Sequence, residues 1–320
     1  MSSSLQKSFL SLNDINSTDL REILLSSSFL KRQKREGIFP HRLKNKNVAL
    51  LFEKSSTRTR CAFTIACKDE GAQVEFLGRD DIHFGKKESL EDTARVLGRF
   101  FDGLVYRGFA QKTAETLAQL SGIPVWNALT DEEHPTQAIA DLMTLEEHFS
   151  HLAGLRVVYL GDAANNVAHS LMMACAMVGA HFVVAAPEKY WPAKKYVAQA
   201  MLHCENTGGT LTFESQPHKA VRGADALYTD VWVSMGFENQ PGAAERLVEL
   251  SPYQVNEELM KATGNSRAVF LHCLPANRGF EVSHDVFECG QSLVFEQAEN
   301  RLHTIKALLL RGLAQQNNEH

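Results

Sequence analysis

The sequence predicts an α/β protein of two domains, each a mostly parallel sheet flanked by helices. Three observations carry that expectation. From residue 48 onward, short apolar runs alternate with longer amphipathic segments, the pattern of βαβ units and a parallel sheet. The chain has 320 residues, more than one typical core and enough for two domains of roughly 150 residues each. A helical stretch ending at Gly154 separates a first series of four apolar runs from a second series of five.

The first element is an amphipathic helix with Leu20, Ile23 and Leu24 on one face. Lys31, Arg32, Lys34 and Arg35 close it just before Gly37. Such a run could be a nucleic-acid patch, but cations in a last helical turn followed by glycine are ordinary helix-ending chemistry. The strands of the first series are VALLF (48–52), AQVEFL (72–77), GLVYR (103–107) and IPVWN (123–127). The helical segment TQAIADLMTLEEHFSHLAG then runs from Thr136 to Gly154, and we place the domain boundary near residue 150. The second series is LRVVYLGD (155–162), HFVVAAP (181–187), TLTFES (210–215), ALYTDVW (226–232) and AVFLHC (268–273). The final helix, AENRLHTIKALLLRGLAQQ, sets Leu302, Ile305, Leu308 and Leu309 on one face and could pack on either domain. Assigning it to the first gives an expected division of residues 1–150 with 301–320, and residues 151–300. No fixed-period repeat and no low-complexity segment is present.

Composition excludes several function classes. The hydrophobic content of 44% and charged content of 22% are those of an ordinary globular protein. A formal net charge of -5 gives no global attraction to nucleic acid or to an anionic membrane, so any basic site must be local. The N-terminus MSSSLQKSFLSL lacks the charged and continuously apolar regions of a secretory signal. The most apolar region, 171–186, is interrupted by Gly179 and His181 and falls short of the roughly 20 residues a membrane span needs. Cys61, Cys67, Cys175, Cys204, Cys273 and Cys289 form no CxxC pair and no zinc spacing, so a reducing cytoplasm and no metal are expected.

The stretch FEKSSTRTR (52–60) is the first chemical signal. It leads from a strand into a helix whose N-terminus is already positive, yet it carries Lys54, Arg58 and Arg60. Either Ser55, Ser56 or Thr57 is a helix cap and the cations are solvated, or backbone N–H groups, hydroxyls and a guanidinium fork converge on a phosphate. HPTQ (134–137) places Pro135 at a first helical position with His134 before it and Gln137 in the first turn. It follows a strand end, where open α/β sheets bind ligands, and Arg107 ends another strand. An arginine, a histidine and an amide together can polarise a carbonyl oxygen.

In the second domain, GDAANNVAHS has one glycine where a dinucleotide loop needs two or three, which weighs against NAD. TDVWVSMG (229–236) places Asp230 near a strand end, where it is a turn residue or a ligand. HCLPA (272–276) ends a strand with Cys273, followed by Leu274, which the next proline holds extended. That setting makes Cys273 the strongest site candidate of the six cysteines.

Taken together, S-T-R-T at Ser56–Thr59, YRG at 106–108, HPTQ, DVWVSMG and HCLP stand in the order and at the separations that make the chain resemble the ornithine carbamoyltransferases, within the aspartate/ornithine carbamoyltransferase family. The resemblance runs from about Phe52 to the C-terminal AENRLHTIKALL. It implies transfer of a carbamoyl group from carbamoyl phosphate to the δ-amine of L-ornithine, without cofactor or metal. By the same resemblance Ser56, Thr57, Arg58 and Thr59 hold the phosphate, and Arg107, His134 and Gln137 hold the carbamoyl end, with Arg301 closing over the same ligand. Asn166, Asp230, Ser234 and Met235 would hold ornithine, with Cys273 and Leu274 between the two substrates and a cis bond at Leu274-Pro275. The first domain would thus be the carbamoyl phosphate-binding one and the second the ornithine-binding one. Family members are trimers or multiples of trimers in which DIHFGKKES reaches a neighbour's site, so His83 is expected to bind carbamoyl phosphate in trans.

Aspartate carbamoyltransferases share the phosphate and HPTQ elements but differ in the second-substrate loop and lack the HCLP cysteine. Transferases for N-acylated ornithine or putrescine resemble this loop less well. A non-catalytic metabolite-binding subunit on the same fold could lose Cys273, Asp230 or His134, and all three are present.

Overall fold

Among the described residues, nine strands form where short β-branched and aromatic runs are bounded by turns. The computed structural model describes residues 8–81, 88–233 and 242–314. They divide into two units, one running to Met143 and resuming at Glu299, the other from Thr144 to Ala298. Among the described residues, no helix is long and apolar enough to cross a membrane.

The first unit holds β1 (Asn47–Phe52), β2 (Gln73–Leu77), β3 (Gly103–Arg107) and β4 (Val125–Leu129) in the order β2-β1-β3-β4. Every pairing is parallel. Strands β1 and β3 are buried along nearly their whole length, as parallel strands covered by helices on both faces must be. Strand β4 lies two residues later than the apolar run IPVWN suggests. Pro124 has no N–H for a ladder, so it contributes only its carbonyl, which accepts from Leu104 N at 2.9 Å. Phe9 extends the β4 edge, donating to Val125 O and accepting from Asn127 N, both at 2.8 Å. The helices Leu90–Phe100 and Gln111–Ser121 approach so closely that a Cβ on Gly98 would lie 1.9 Å from Ser121 O. Glycine is therefore required there.

The opening helix, Ser17–Arg35, ends with Arg32, Lys34 and Arg35 in its last turn and Gly37 at φ 72°. Its cations are committed locally: Lys31 Nζ donates to Asn300 Oδ1 at 2.7 Å, and Lys34 pairs with Asp69 at 2.7 Å. Lys306 of the last helix, Val294–Leu313, reaches the same Asp69 oxygen at 2.7 Å. The long helix Pro135–Phe149 stops earlier than Gly154, because Ser150 takes a left-handed φ of 68°.

The second unit holds β5 (Arg156–Leu160), β6 (His181–Ala185), β7 (Thr210–Glu214), β8 (Ala226–Thr229) and β9 (Val269–His272), all parallel, in the order β7-β6-β5-β8-β9. The chain winds outward from β5 in one direction and from β8 in the other, so β5 and β8 flank a topological switch point. In the first unit β1 and β3 are the corresponding pair. Open sheets bind ligands beyond the carboxyl ends of such strands.

Candidate functional site

At the first switch point, β1 leads into the turn Glu53–Ser56 and the helix Thr57–Asp69. Ser56 is the helix cap, its side chain accepting from Thr59 N at 3.3 Å. Arg58 sits in the first helical turn and makes no hydrogen bond or ion pair among the described residues. Its neighbours are occupied: Lys54 pairs with Asp131 and lies 4.4 Å from the Phe109 ring centroid, while the Arg60 guanidinium lies 3.7 Å over the Phe76 ring. Of the three cations in FEKSSTRTR, Arg58 is the one with neither an ion pair nor a ring contact among the described residues.

Behind this turn lies a buried cluster. Thr59 Oγ1 accepts from Arg301 Nη2 at 3.1 Å and faces Arg107 Nη1 at 3.5 Å. Both guanidinium groups belong to buried residues, as does His134. Burial pushes the His134 pKa well below its ordinary 6.5, and the charges of Arg301 and Arg107 push it further the same way. The imidazole is therefore neutral at neutral pH. Gln137 is buried one helical turn away, with Nε2 donating to Asp141 Oδ1 at 2.8 Å and Oε1 without a hydrogen-bond partner among the described residues. Two cations, a neutral histidine and a hydroxyl thus converge, a set suited to an anion with a polarisable carbonyl.

Glu133 lies beside this cluster in sequence, and no local pattern in the chain marks its burial. Burial drives its pKa up to about 7, the Asp14 and Glu132 charges adding to the rise and a 2.7 Å hydrogen bond from Ser11 Oγ opposing it. A raised carboxyl makes the folded protein hold a proton that the unfolded chain releases near 4.5. Its contribution to stability is full below pH 4.5 and lost as pH rises through about 7. Glu133→Gln, which keeps the neutral shape, is expected to raise the melting temperature over wild type at pH 8 and to leave it level near pH 4.5. Paired thermal melts at the two pH values check this.

At the second switch point, β5 is followed by Gly161, which adopts φ 101°. A Cβ there would lie 2.4 Å from Trp232 Nε1, so the loops after β5 and β8 meet only over a glycine. Asn165 caps the helix Asn166–Met177, accepting from Ala168 N at 2.9 Å and donating to Tyr159 Oη at 3.0 Å. Asn166 is the first residue of that helix. Asp162 is held by Arg246 Nη2 at 2.5 Å.

Asp230 and Cys273 lie one residue beyond β8 and β9 and meet through Cys273 Sγ donating to Asp230 Oδ1 at 3.1 Å. Burial raises the Asp230 pKa, opposed by His272 and the Cys273 hydrogen bond. Contrary to the extended backbone that the following proline predicts, Leu274 takes a left-handed φ of 61°, rare for a bulky side chain, and its bond to Pro275 is cis. His272 Nδ1 accepts the Leu274 N–H at 2.9 Å, so the ring proton belongs on Nε2, 3.4 Å from Glu281 Oε1. His272 and Glu281 went unrecognised in the sequence because their pairing depends on a loop fold that no local pattern signals. Donor atoms of Asp230, His272 and Cys273 lie within 4.8 Å of one another, a spacing that could hold a metal ion. His83, Ser234 and Met235 lie outside the described residues. All six cysteines are free thiols.

The fold and these placements define a two-domain α/β enzyme. Residues 7–147 match the family profile for the aspartate/ornithine carbamoyltransferase carbamoyl-P binding domain, and residues 153–311 that for the Asp/Orn binding domain. The chain belongs to the aspartate/ornithine carbamoyltransferase family. An ornithine carbamoyltransferase of Caldanaerobacter subterraneus is 49% identical over 96% of this chain and 97% of its own length. A catabolic ornithine carbamoyltransferase of Bacillus cereus is also 49% identical, covering 96% of each chain. The solved ornithine carbamoyltransferase of Pyrococcus furiosus superposes with a TM-score of 0.92 at 41% identity, covering 96% of each chain.

Proposed function

We propose that the protein transfers the carbamoyl group of carbamoyl phosphate to the δ-amine of L-ornithine, giving L-citrulline and phosphate in arginine metabolism. It acts in the cytoplasm as a homotrimer or a multiple of trimers with shared sites. The observation that carries the reading is the convergence of Arg107 and Arg301 on Thr59 Oγ1 beside a neutral His134. The Ser56-capped helix end and Arg58 bind the phosphate dianion. Attack of the amine nitrogen forms the C–N bond and drives charge onto the carbonyl oxygen, where Arg107, His134 and Thr59 stabilise it. The C–O bond to phosphate then breaks with the bonding pair leaving on oxygen, and the departing phosphate takes up the proton that the nitrogen loses. Gln137 and Arg301 orient the carbamoyl phosphate, and His83 reaches it from a neighbouring subunit. In the second unit Asn166, Asp230, Ser234 and Met235 hold ornithine, while Cys273 and Leu274 meet both substrates.

A colorimetric carbamoylation assay with ornithine, putrescine, N-acetylornithine and aspartate tests the reading. Turnover is expected with ornithine, and its absence would sink the proposal. A subunit that only binds would take up carbamoyl phosphate without forming citrulline.

A further inference from the structure

We propose that Glu53 and Tyr106 form a positioning pair that sets the anion-binding turn against Arg107, an inference that rests on the transfer reading above. Neither residue touches the ligand in that reading. Tyr106 is fully buried in β3 and belongs to the apolar cluster that includes Ala49, Leu51 and Leu104. A phenol buried this deeply needs a polar partner. Its hydroxyl donates to Glu53 Oε1 and also meets the Thr113 side chain and the Phe109 N–H.

Burial, and after it the Glu53 carboxylate, hold the Tyr106 pKa above its ordinary value, so the phenol remains a donor throughout the working pH range. Glu53 lies one residue past β1 and three before the helix cap Ser56. Its N–H donates to Arg107 O at 2.8 Å, the bond that closes the last pair of the β1–β3 ladder, Phe52 with Arg107. The start of the turn is therefore fastened to β3 in two ways, through the Glu53 and Lys54 N–H groups on Arg107 O, at 2.8 and 3.5 Å, and through the phenol.

The β3–β4 register slips between Tyr106 and Arg107. Irregularities of this kind re-aim a side chain, and here the side chain is the arginine that faces Thr59. Gly108 completes the device: a Cβ on it would fall 2.1 Å from Tyr106 Oη and 2.4 Å from Glu53 Oε1. In the triplet YRG, then, tyrosine anchors, arginine acts, and glycine leaves room for the anchor.

Tyr106→Phe keeps the ring and removes only the hydroxyl. A displacement of about 1 Å in a positioned group can cost about a hundredfold in rate, and loss of one of two restraints should cost part of that. Tyr106→Phe is expected to raise KM for carbamoyl phosphate about tenfold, with KM for ornithine within about twofold of wild type. Glu53→Ala should match it, the double variant should be no worse than either single one, and Glu53→Gln, which keeps an acceptor oxygen, should recover most of the loss. Melting temperatures are measured alongside.

A Tyr106→Phe protein with wild-type KM and kcat overturns the pairing role whether or not its melting temperature falls. Effects of Tyr106→Phe and Glu53→Ala that multiply in the double variant overturn it as well. Calorimetric binding of carbamoyl phosphate separates the two levels of the argument. If wild type forms no citrulline but Tyr106→Phe still weakens that binding, the transfer reading fails and the positioning pair stands. If wild type turns over and the variants behave like it, the pair alone fails.

Discussion

Arg107→Ala is expected to lower kcat by about 10²- to 10³-fold, with kcat/KM falling in parallel. The magnitude comes from the loss of one preorganised donor to a developing oxyanion, about 3 to 4 kcal/mol in a water-poor site. Arg107 meets that description by placement, since it is buried at the end of β3 with Nη1 3.5 Å from Thr59 Oγ1. An interaction made mainly in the transition state affects kcat and kcat/KM together, whereas uniform ground-state binding would change KM alone. Alanine also opens a cavity, so Arg107→Lys is the companion variant. It keeps a charge, loses the planar fork, and is expected to stay at least about tenfold below wild type.

A second readout follows from His134. The Arg107 charge is one of the influences that depress the imidazole pKa, after burial and Arg301. Its removal should let that pKa rise, shifting any acid limb of the pH–rate profile upward. Steady-state citrulline formation across pH 5 to 9 measures both effects. A kcat within about threefold of wild type would remove Arg107 from the chemistry.

Legibility in the sequence follows the range of the interactions. The nine strands could be read because each is a short apolar run whose pattern is local, and the structure places strands at all nine runs. Strand β4 is displaced by two residues because Pro124 is apolar in the pattern but lacks a ladder donor. The helix after β4 ends at a left-handed Ser150, a position where glycine would have signalled the stop. Arg107 and His134 could be singled out by residue type at strand and helix ends, and Thr59 through the resemblance carried by S-T-R-T. Their convergence with Arg301 is fixed by tertiary structure, because Arg301 comes 242 positions after Thr59. Glu53 with Tyr106, and His272 with Glu281, were invisible for the same reason: a bond across 53 residues, or one formed by a loop folding back, leaves no periodic trace.

The commitments of Lys54 and Arg60 make Arg58 the sharper test of the anion turn. Lys54 is held by Asp131 and Phe109, and Arg60 lies over Phe76, so both keep partners without ligand. Arg58 occupies the first turn of the helix Thr57–Asp69, where the backbone is already positive, with no hydrogen bond or ion pair among the described residues. A cation there is unfavourable by about 0.3 to 1 kcal/mol, and alanine is the better helix former. Arg58→Ala is therefore expected to leave the melting temperature of the empty protein unchanged or raise it by about 2 °C.

With ligand the sign reverses. A charge-assisted hydrogen bond to phosphate contributes about 1.5 to 3 kcal/mol, so carbamoyl phosphate affinity should fall about 10- to 100-fold. Ligand raises a melting temperature only as far as it binds the folded state, so a concentration of carbamoyl phosphate that lifts wild type should barely lift the variant. Thermal melts with and without ligand read both halves. A large loss in the empty protein would reveal a structural partner for Arg58, and an undiminished ligand shift would take the phosphate away from it.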